Sequence, residues 1–100
     1  WLGGRLAPSG VITVDLGCMT ALENGASVLA AGITGVEGAF ARGDLVAIHG
    51  PKGERLGQGL VEYTSAECSA ILGLREEQQS AKLGYAPRAA VIHRDHMVHA

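Results

Sequence analysis

The sequence predicts an α+β fold that is predominantly β, a mixed β pseudobarrel with two or three short helices. Fifteen of its 100 residues are glycine and only 4% are aromatic. Glycines at this density, set between short apolar runs, favour a tightly turned sheet over a helix bundle. A chain of this length has room for one core. We expect residues 1–8 to form an entry arm or linker and residues 9–100 to form the domain.

The first half of the chain predicts a strand, a helix and a second strand. β-branched residues over 10–15 indicate the first strand. The carboxylate of Asp15 can accept from the free N–H groups of a helix expected over 16–24, and Gly25 would end that helix. Small residues follow and lead into a strand over 33–37, which indicates close packing of the backbone there.

The middle of the chain predicts a β-hairpin. A turn at 42–44 precedes a nearly all-apolar stretch over 45–49, which is typical of a strand buried on both faces. A tight connection over 50–53 then leads to a return strand over 54–63. Two glycines of this return strand share one face, as expected at a sharp bend: Gly57 and Gly59.

The last third predicts two short helices and a closing strand. Thr64 and Glu67 have the spacing of a capping box, and the helix they begin would end near Gly73. A second, mostly polar helix is expected over 75–83. The final strand is expected over 90–98, with Ile92 and Arg94 on one face and His93 and Asp95 on the other.

Charge and apolar pattern exclude several classes of protein. The net charge is −2 with histidine neutral, and no run of basic residues occurs, so strong sequence-independent binding to nucleic acid is not expected. No apolar run approaches the roughly 18 residues of a membrane span, and the first residues do not have the pattern of a signal peptide. We therefore expect a cytoplasmic protein. The start at Trp1 rather than Met indicates a piece of a longer chain.

The letters HRD at 93–95 match the catalytic loop of protein kinases, but the rest of that signature is missing. The asparagine required five positions after the Asp would be Ala100, and the position of the ATP-binding lysine is His49. The glycine-rich loop that covers ATP is also absent. We expect no catalytic residue and no cofactor site in this chain.

Cysteine and histidine positions give no strong sign of a thiol or metal site. Cys18 and Cys68 lie in apolar, helix-like contexts without a CxxC pair, which predicts two buried, reduced thiols. Four potential ligands lie near the end of the chain: His93, Asp95, His96 and His99. On a strand His96 would point away from the others, so we expect no metal ion there.

Four motifs in a fixed order carry a resemblance that spans essentially the whole chain. They are DLG at 15–17, GASVLAAGI at 25–33, FxxGD at 40–44 and VIHRD at 91–95. In this order they resemble the C-terminal domain of bacterial glutamate 5-kinases, which belongs to the PUA family. The resemblance implies a β-rich pseudobarrel with short helices.

The resemblance also implies a parent enzyme and a role. The parent would phosphorylate the γ-carboxylate of L-glutamate with ATP and magnesium, opening L-proline biosynthesis, and would be a homo-oligomer. Catalysis would belong to an N-terminal amino-acid-kinase domain of the same chain. The present domain would then be a non-catalytic accessory or regulatory domain with that kinase domain as its partner.

RNA binding is the alternative function that the PUA resemblance implies. Family members that modify RNA bind it through the first helix, the glycine-rich loop and the last strand, which implies the following surface here: Asn24, Gly25, Ser27, Gly32, Arg88 and Arg94. The chain departs from a good RNA binder because it has no basic patch, and Ala31 stands where many PUA loops carry proline. Close backbone packing remains the other explanation for the glycine loop.

Overall fold

A computed structural model describes residues 8–74, 76–84 and 90–99. Within these ranges the chain forms five strands and three α-helices: β1 (Gly10–Val14), α1 (Leu16–Glu23), β2 (Ile33–Gly38), β3 (Leu45–His49), β4 (Arg55–Leu60), α2 (Ser65–Ile71), α3 (Glu76–Leu83) and β5 (Met97–His99). Single 3-10 turns occur at Ala30–Gly32 and Arg94–His96. The predicted fold class is confirmed. Of the predicted entry arm, residues 1–7 lie outside the described ranges.

The five strands form one mixed sheet in the order β2-β1-β3-β4-β5. β1 pairs antiparallel with β2 and parallel with β3, so the β3–β4 hairpin lies on the opposite side of β1 from β2. β5 pairs antiparallel with β4 over three residues, with Gly59 opposite Met97. An isolated bridge between Val28 and Ile92 joins the loop after α1 to the segment before β5. This bridge brings the loop that contains Ser27 close to the segment that contains Arg94, two residues of the predicted RNA surface.

The core is built from alternate residues of the central strands and from the inner faces of α1 and α2. Apolar side chains supply nearly all of it, including Ile12, Val14, Leu22, Val28, Val46, Ile48, Val61, Tyr63, Cys68, Ile71 and Ile92. The expectation that β3 is buried on both faces is wrong. Its Val46 and Ile48 are buried while its other three residues are half-buried, because only one face of the strand meets the core.

Both sequence-predicted helix caps are present. Asp15 Oδ1 accepts a hydrogen bond of 2.7 Å from the Cys18 N–H at the start of α1. At α2, Thr64 Oγ1 accepts from the Glu67 N–H at 3.2 Å while Glu67 Oε1 accepts from the Thr64 N–H at 2.9 Å. These bonds satisfy N–H groups that a helix start leaves unpaired, which is why the sequence located both starts correctly.

The return strand of the hairpin is shorter than predicted and packs very closely at Gly59. β4 covers Arg55–Leu60 rather than 54–63, and both Gly57 and Gly59 are buried. A Cβ at Gly59 would lie 2.7 Å from Ile92 Cγ2 and 2.9 Å from the His96 carbonyl oxygen. Only glycine therefore lets the closing segment approach β4 at this point.

The predicted closing strand over 90–98 is mostly wrong. Only Met97–His99 is a strand, and Arg94–His96 forms a 3-10 turn instead. The His96 N–H donates to the His93 carbonyl at 2.8 Å, so local hydrogen bonds replace the pairing that a strand would make. The predicted two-faced arrangement of residues 92–95 is lost with it: Ile92 is buried and Arg94 is exposed on the turn.

Candidate functional site

The loop after α1 and the segment before β5 are held together by one side chain and three backbone hydrogen bonds. Ser27 Oγ accepts a hydrogen bond of 2.9 Å from the backbone N–H of Arg94. The Val28 N–H donates to the Ile92 carbonyl at 2.9 Å. The N–H groups of Val91 and Ile92 both donate to the Val28 carbonyl, at 2.8 and 3.3 Å. Two residues of the predicted surface, Ser27 and Arg94, are thus neighbours in space although they are far apart in the sequence.

Asn24 and Gly25 border this contact at the end of α1. The Asn24 side-chain amide donates to the Thr20 carbonyl at 3.0 Å, and the Gly25 N–H donates to the Leu22 carbonyl at 3.0 Å. Gly25 has φ of 85° and open space around the position where a Cβ would be, so its backbone is reachable from solvent. Both residues are exposed and lie close to Ser27 in the chain.

Gly32, by contrast, packs at the other end of α1. A Cβ on Gly32 would lie 2.7 Å from Cys18 Cβ, and its carbonyl accepts from the Asp15 N–H at 2.8 Å. Close backbone packing therefore explains this glycine. Arg88, the remaining residue of the predicted surface, lies outside the described residues.

The turn at Arg94–His96 carries several polar side chains on the exposed side of the contact. His93 Nδ1 accepts from the Asp95 N–H at 3.1 Å and lies 3.5 Å from Asp95 Oδ2. The rings of His93 and His96 are 5.9 Å apart between centroids and tilted by 54°. Since Arg94 and Asp95 carry opposite charges, the turn has no excess charge while both imidazoles are neutral. The sequence did not reveal that His93 caps this turn.

Metal ligation and membrane spanning find no support in the described parts of the chain. Among the side chains that the structure describes, no cluster of three or more His, Cys, Asp or Glu could hold a metal ion. None of the three helices described above is long and apolar enough to cross a membrane.

The two cysteines are free thiols in different surroundings. Cys68 is buried as predicted, and burial, with a smaller contribution from the charge of Glu67, raises its pKa to about 12. Cys18 is only half-buried, which corrects the prediction that both are buried. Desolvation raises the Cys18 pKa against the opposing effect of a hydrogen bond with the Leu29 backbone. Neither thiol has the lowered pKa of a reactive cysteine.

An open apolar depression lies between α1, the β3–β4 hairpin and β5. Its lining is almost wholly apolar: Met19, Leu22, Glu23, Ile48, Leu56, Gly57, Met97 and Val98. Val98 is 69% exposed at its edge. The sequence did not predict this feature, because it depends on β5 pairing with β4. Glu23 is its one ionisable side chain, so the depression offers contact area rather than acid–base chemistry.

The mixed sheet, the capped helix after its first strand and the bridge to the C-terminal segment define a known class of domain. The model of the PUA domain family matches residues 10–81, and the chain belongs to this family. The predicted domain boundary at 9–100 extends beyond this match and stays a prediction.

Within the family, the chain is similar to the C-terminal part of glutamate 5-kinases. It is 54% identical over 98 residues to the glutamate 5-kinase of Sphingopyxis alaskensis, and the match covers 98% of this chain and 27% of that protein. The chain therefore spans about a quarter of the length of the curated relatives it matches.

Two solved structures illustrate the range of proteins that share the fold. A PUA domain from Aeropyrum pernix K1, solved as a tartrate complex, is 31% identical with a TM-score of 0.63, over 85% of this chain and 41% of that one. A chain of an H/ACA ribonucleoprotein bound to a substrate RNA is 30% identical with a TM-score of 0.56, over 59% of this chain and 19% of that one. The second of these assembles with RNA.

Proposed function

We propose that this domain is a non-catalytic accessory domain of a glutamate 5-kinase. One observation carries the proposal. The chain is 54% identical to a glutamate 5-kinase over 98% of its own length, but this match covers only 27% of that relative. The rest of such a protein is long enough to hold a separate catalytic domain. ATP and magnesium would bind in that upstream amino-acid-kinase domain, which would phosphorylate the γ-carboxylate of L-glutamate at the start of L-proline synthesis in the cytoplasm.

The domain would act on that enzyme through contact with its kinase domain. It would tune the activity, the feedback inhibition by proline, or the assembly of the parent into a homo-oligomer. The apolar depression beside β5 supports such a role because it offers apolar area, including the exposed Val98 and the half-buried Met97, without acid–base chemistry.

Deletion tests this proposal directly. The full enzyme and a version lacking residues 1–100 would be compared for formation of glutamyl phosphate, inhibition by proline and oligomeric mass. We expect the truncated enzyme to keep phosphoryl transfer while its inhibition or its mass changes. If activity, inhibition and mass are all unchanged, the accessory role is wrong. The isolated domain should show no glutamate-dependent ATP turnover, and turnover above background would overturn the assignment.

RNA binding is a second candidate, favoured by the likeness to the RNA-bound ribonucleoprotein chain. Ser27 and Arg94 lie together where the PUA resemblance implies an RNA surface, with Asn24 and Gly25 beside them. The net charge of −2 argues against tight binding to phosphates at physiological salt.

A gel shift with a structured RNA at low salt tests this second function. We expect binding weaker in the Arg94→Ala variant than in the wild type, with Arg42→Ala, which changes an exposed arginine in the turn before β3, as the matched control. No shift at tens of micromolar protein would count against RNA binding, since non-specific binders reach about this range. An equal loss of RNA binding in both variants would indicate general electrostatic attraction rather than binding at this surface.

A further inference from the structure

We propose that His93 is a pH-sensitive switch in the turn that joins the loop after α1 to β5. Its Nδ1 atom faces two groups of the same residue, the Asp95 N–H at 3.1 Å and the Asp95 carboxylate Oδ2 at 3.5 Å. The first of these groups is a hydrogen-bond donor and the second an acceptor. Unprotonated Nδ1 can therefore accept from the N–H, whereas protonated Nδ1 can donate to the carboxylate.

The observed hydrogen bond assigns the state of the ring in this structure. Nδ1 accepts from the Asp95 N–H, so it has no proton, and a neutral His93 must carry its proton on Nε2. In this state the carboxylate has no donor in the ring, and the 3.5 Å separation is too long for a good hydrogen bond. The imidazole thus acts as the cap of the 3-10 turn.

Protonation reverses these roles. When Nδ1 takes a proton from water, it becomes a donor and can approach Asp95 Oδ2, forming a charge-assisted hydrogen bond. The Asp95 N–H then loses its acceptor and turns to solvent. Asp95 has a side chain that is 76% exposed, so both rearrangements can take place at the surface without disturbing the core.

Among the described residues, the charged and titratable groups nearest to His93 belong mainly to its own turn. His96 lies 5.9 Å away between ring centroids, and Arg94 and Asp95 are its chain neighbours. Residues 24–28 and 57–59, which pack on this segment, have no ionisable side chains; the nearest along those elements are Glu23 and Arg55. Glu62 contacts the same segment through its backbone, since its N–H donates to the Val91 carbonyl at 2.7 Å. Among the described residues, Asp95 is the carboxylate within 3.5 Å of His93 Nδ1, so it is placed to accept a hydrogen bond from the protonated ring.

The switch would change both the shape and the charge of the predicted ligand surface. The charges of Arg94 and Asp95 cancel while both imidazoles are neutral. The turn gains two positive charges when His93 and His96 are protonated. The same turn supplies the N–H that binds Ser27 and leads directly into β5. The surface would therefore become a better site for anions when these rings are protonated.

NMR on the 100-residue protein tests this proposal between pH 5 and 8.5. Long-range proton–nitrogen spectra report the protonated ring nitrogen of His93, and the backbone spectrum reports the Asp95 amide. We expect Nδ1 to be unprotonated at pH 8 and the Asp95 amide resonance to move with the same midpoint as His93. A proton on Nδ1 at pH 8, or an Asp95 amide that does not follow His93, would overturn the proposal.

Two variants separate the switch from a general effect of pH. His93→Asn retains an acceptor near the position of Nδ1 but does not titrate, so the Asp95 amide should stay constant over this range. His96→Gln removes the neighbouring imidazole and should leave the coupled movement of His93 and Asp95 in place. If Asp95 still titrates in His93→Asn, or stops titrating in His96→Gln, His93 is not the switch. Should either variant fail to fold, the tautomer and amide of the wild type still decide.

Discussion

The hydroxyl of Ser27 accepts a hydrogen bond of 2.9 Å from the backbone N–H of Arg94, a residue 67 positions further along the chain. β5 pairs with β4 over only three residues. The C-terminal segment therefore depends on the loop after α1 as well as on the sheet. This contact gives the first of five predictions about stability.

Ser27→Ala should lower the free energy of unfolding by about 1 kcal/mol, since it removes the acceptor of the Arg94 N–H. Urea denaturation of the isolated domain measures the difference. Ser69→Ala is the matched control, because it changes an exposed serine within α2 and should cost nothing measurable. Equal stability of Ser27→Ala and wild type would show that water replaces this contact without loss.

His93→Ala should lower the melting temperature of the domain, whereas Asp95→Ala should change it little. The side chain of His93 is the acceptor that caps the turn, but Asp95 contributes to this bond through its backbone N–H. Its carboxylate makes only an exposed contact, of the kind that adds little stability. Calorimetry at pH 8 measures both. A larger loss in Asp95→Ala than in His93→Ala would assign the stabilisation to the carboxylate instead.

Gly32→Ala should destabilise the domain by about 2 kcal/mol, because the new methyl would lie 2.7 Å from Cys18 Cβ at the first turn of α1. Gly35→Ala is the control: its methyl would meet Thr13 Cβ at 3.7 Å, an ordinary contact. Urea unfolding of both variants tests the difference. If Gly32→Ala is as stable as Gly35→Ala, α1 can shift to make room and close packing does not explain this glycine.

Thr64→Ala should cost about 1 kcal/mol, since it removes one side of the capping box that begins α2. Thr20→Ala, on the exposed face of α1, serves as the comparison and should be neutral or slightly stabilising because alanine favours helix. Thermal melts followed by circular dichroism measure both. Similar losses in the two variants would mean that the reciprocal bonds at Thr64 and Glu67 add no stability.

Stability should fall as the pH rises from about 9 towards 12, and Cys68 should account for part of the fall. Burial raises its pKa from 9.0 to about 12 in the folded protein. Above pH 9 the unfolded thiol loses its proton while the folded one keeps it, so the stabilisation present at lower pH is lost through this range. Urea unfolding at several pH values measures the slope.

Cys68→Ala provides the control for this slope. It should be less stable than wild type at pH 8, since it removes a buried sulfur atom, but its stability should depend less steeply on pH above 9. Parallel slopes for the two proteins would show that ionisation of Cys68 does not contribute.

The helix starts could be predicted because their signals are local. Asp15 and the Thr64–Glu67 pair lie within three residues of the N–H groups they bind, so spacing alone identifies them. The glycines of β4 could also be recognised, although only the structure shows that Ile92 and His96 require Gly59.

The closing segment could not be predicted from its composition. Alternating residues in VIHRDHMV satisfy the pattern of a strand, but the bond from the Asp95 N–H to His93 Nδ1 favours a turn, and this depends on one ring orientation. The candidate surface was predicted only in part for a similar reason. Ser27 and Arg94 lie together because Val28 pairs with Ile92, and the spacing of these residues in the sequence does not predict that pairing.

The late position of the closing segment has a consequence during synthesis on the ribosome. β4 and Val28 emerge well before residues 91–99, so the outer edge of β4 remains uncovered until almost the whole domain has been translated. An uncovered strand edge can pair with another chain. We therefore expect nascent or prematurely terminated chains that stop short of Ile92 to aggregate more readily than chains that include residues 91–99.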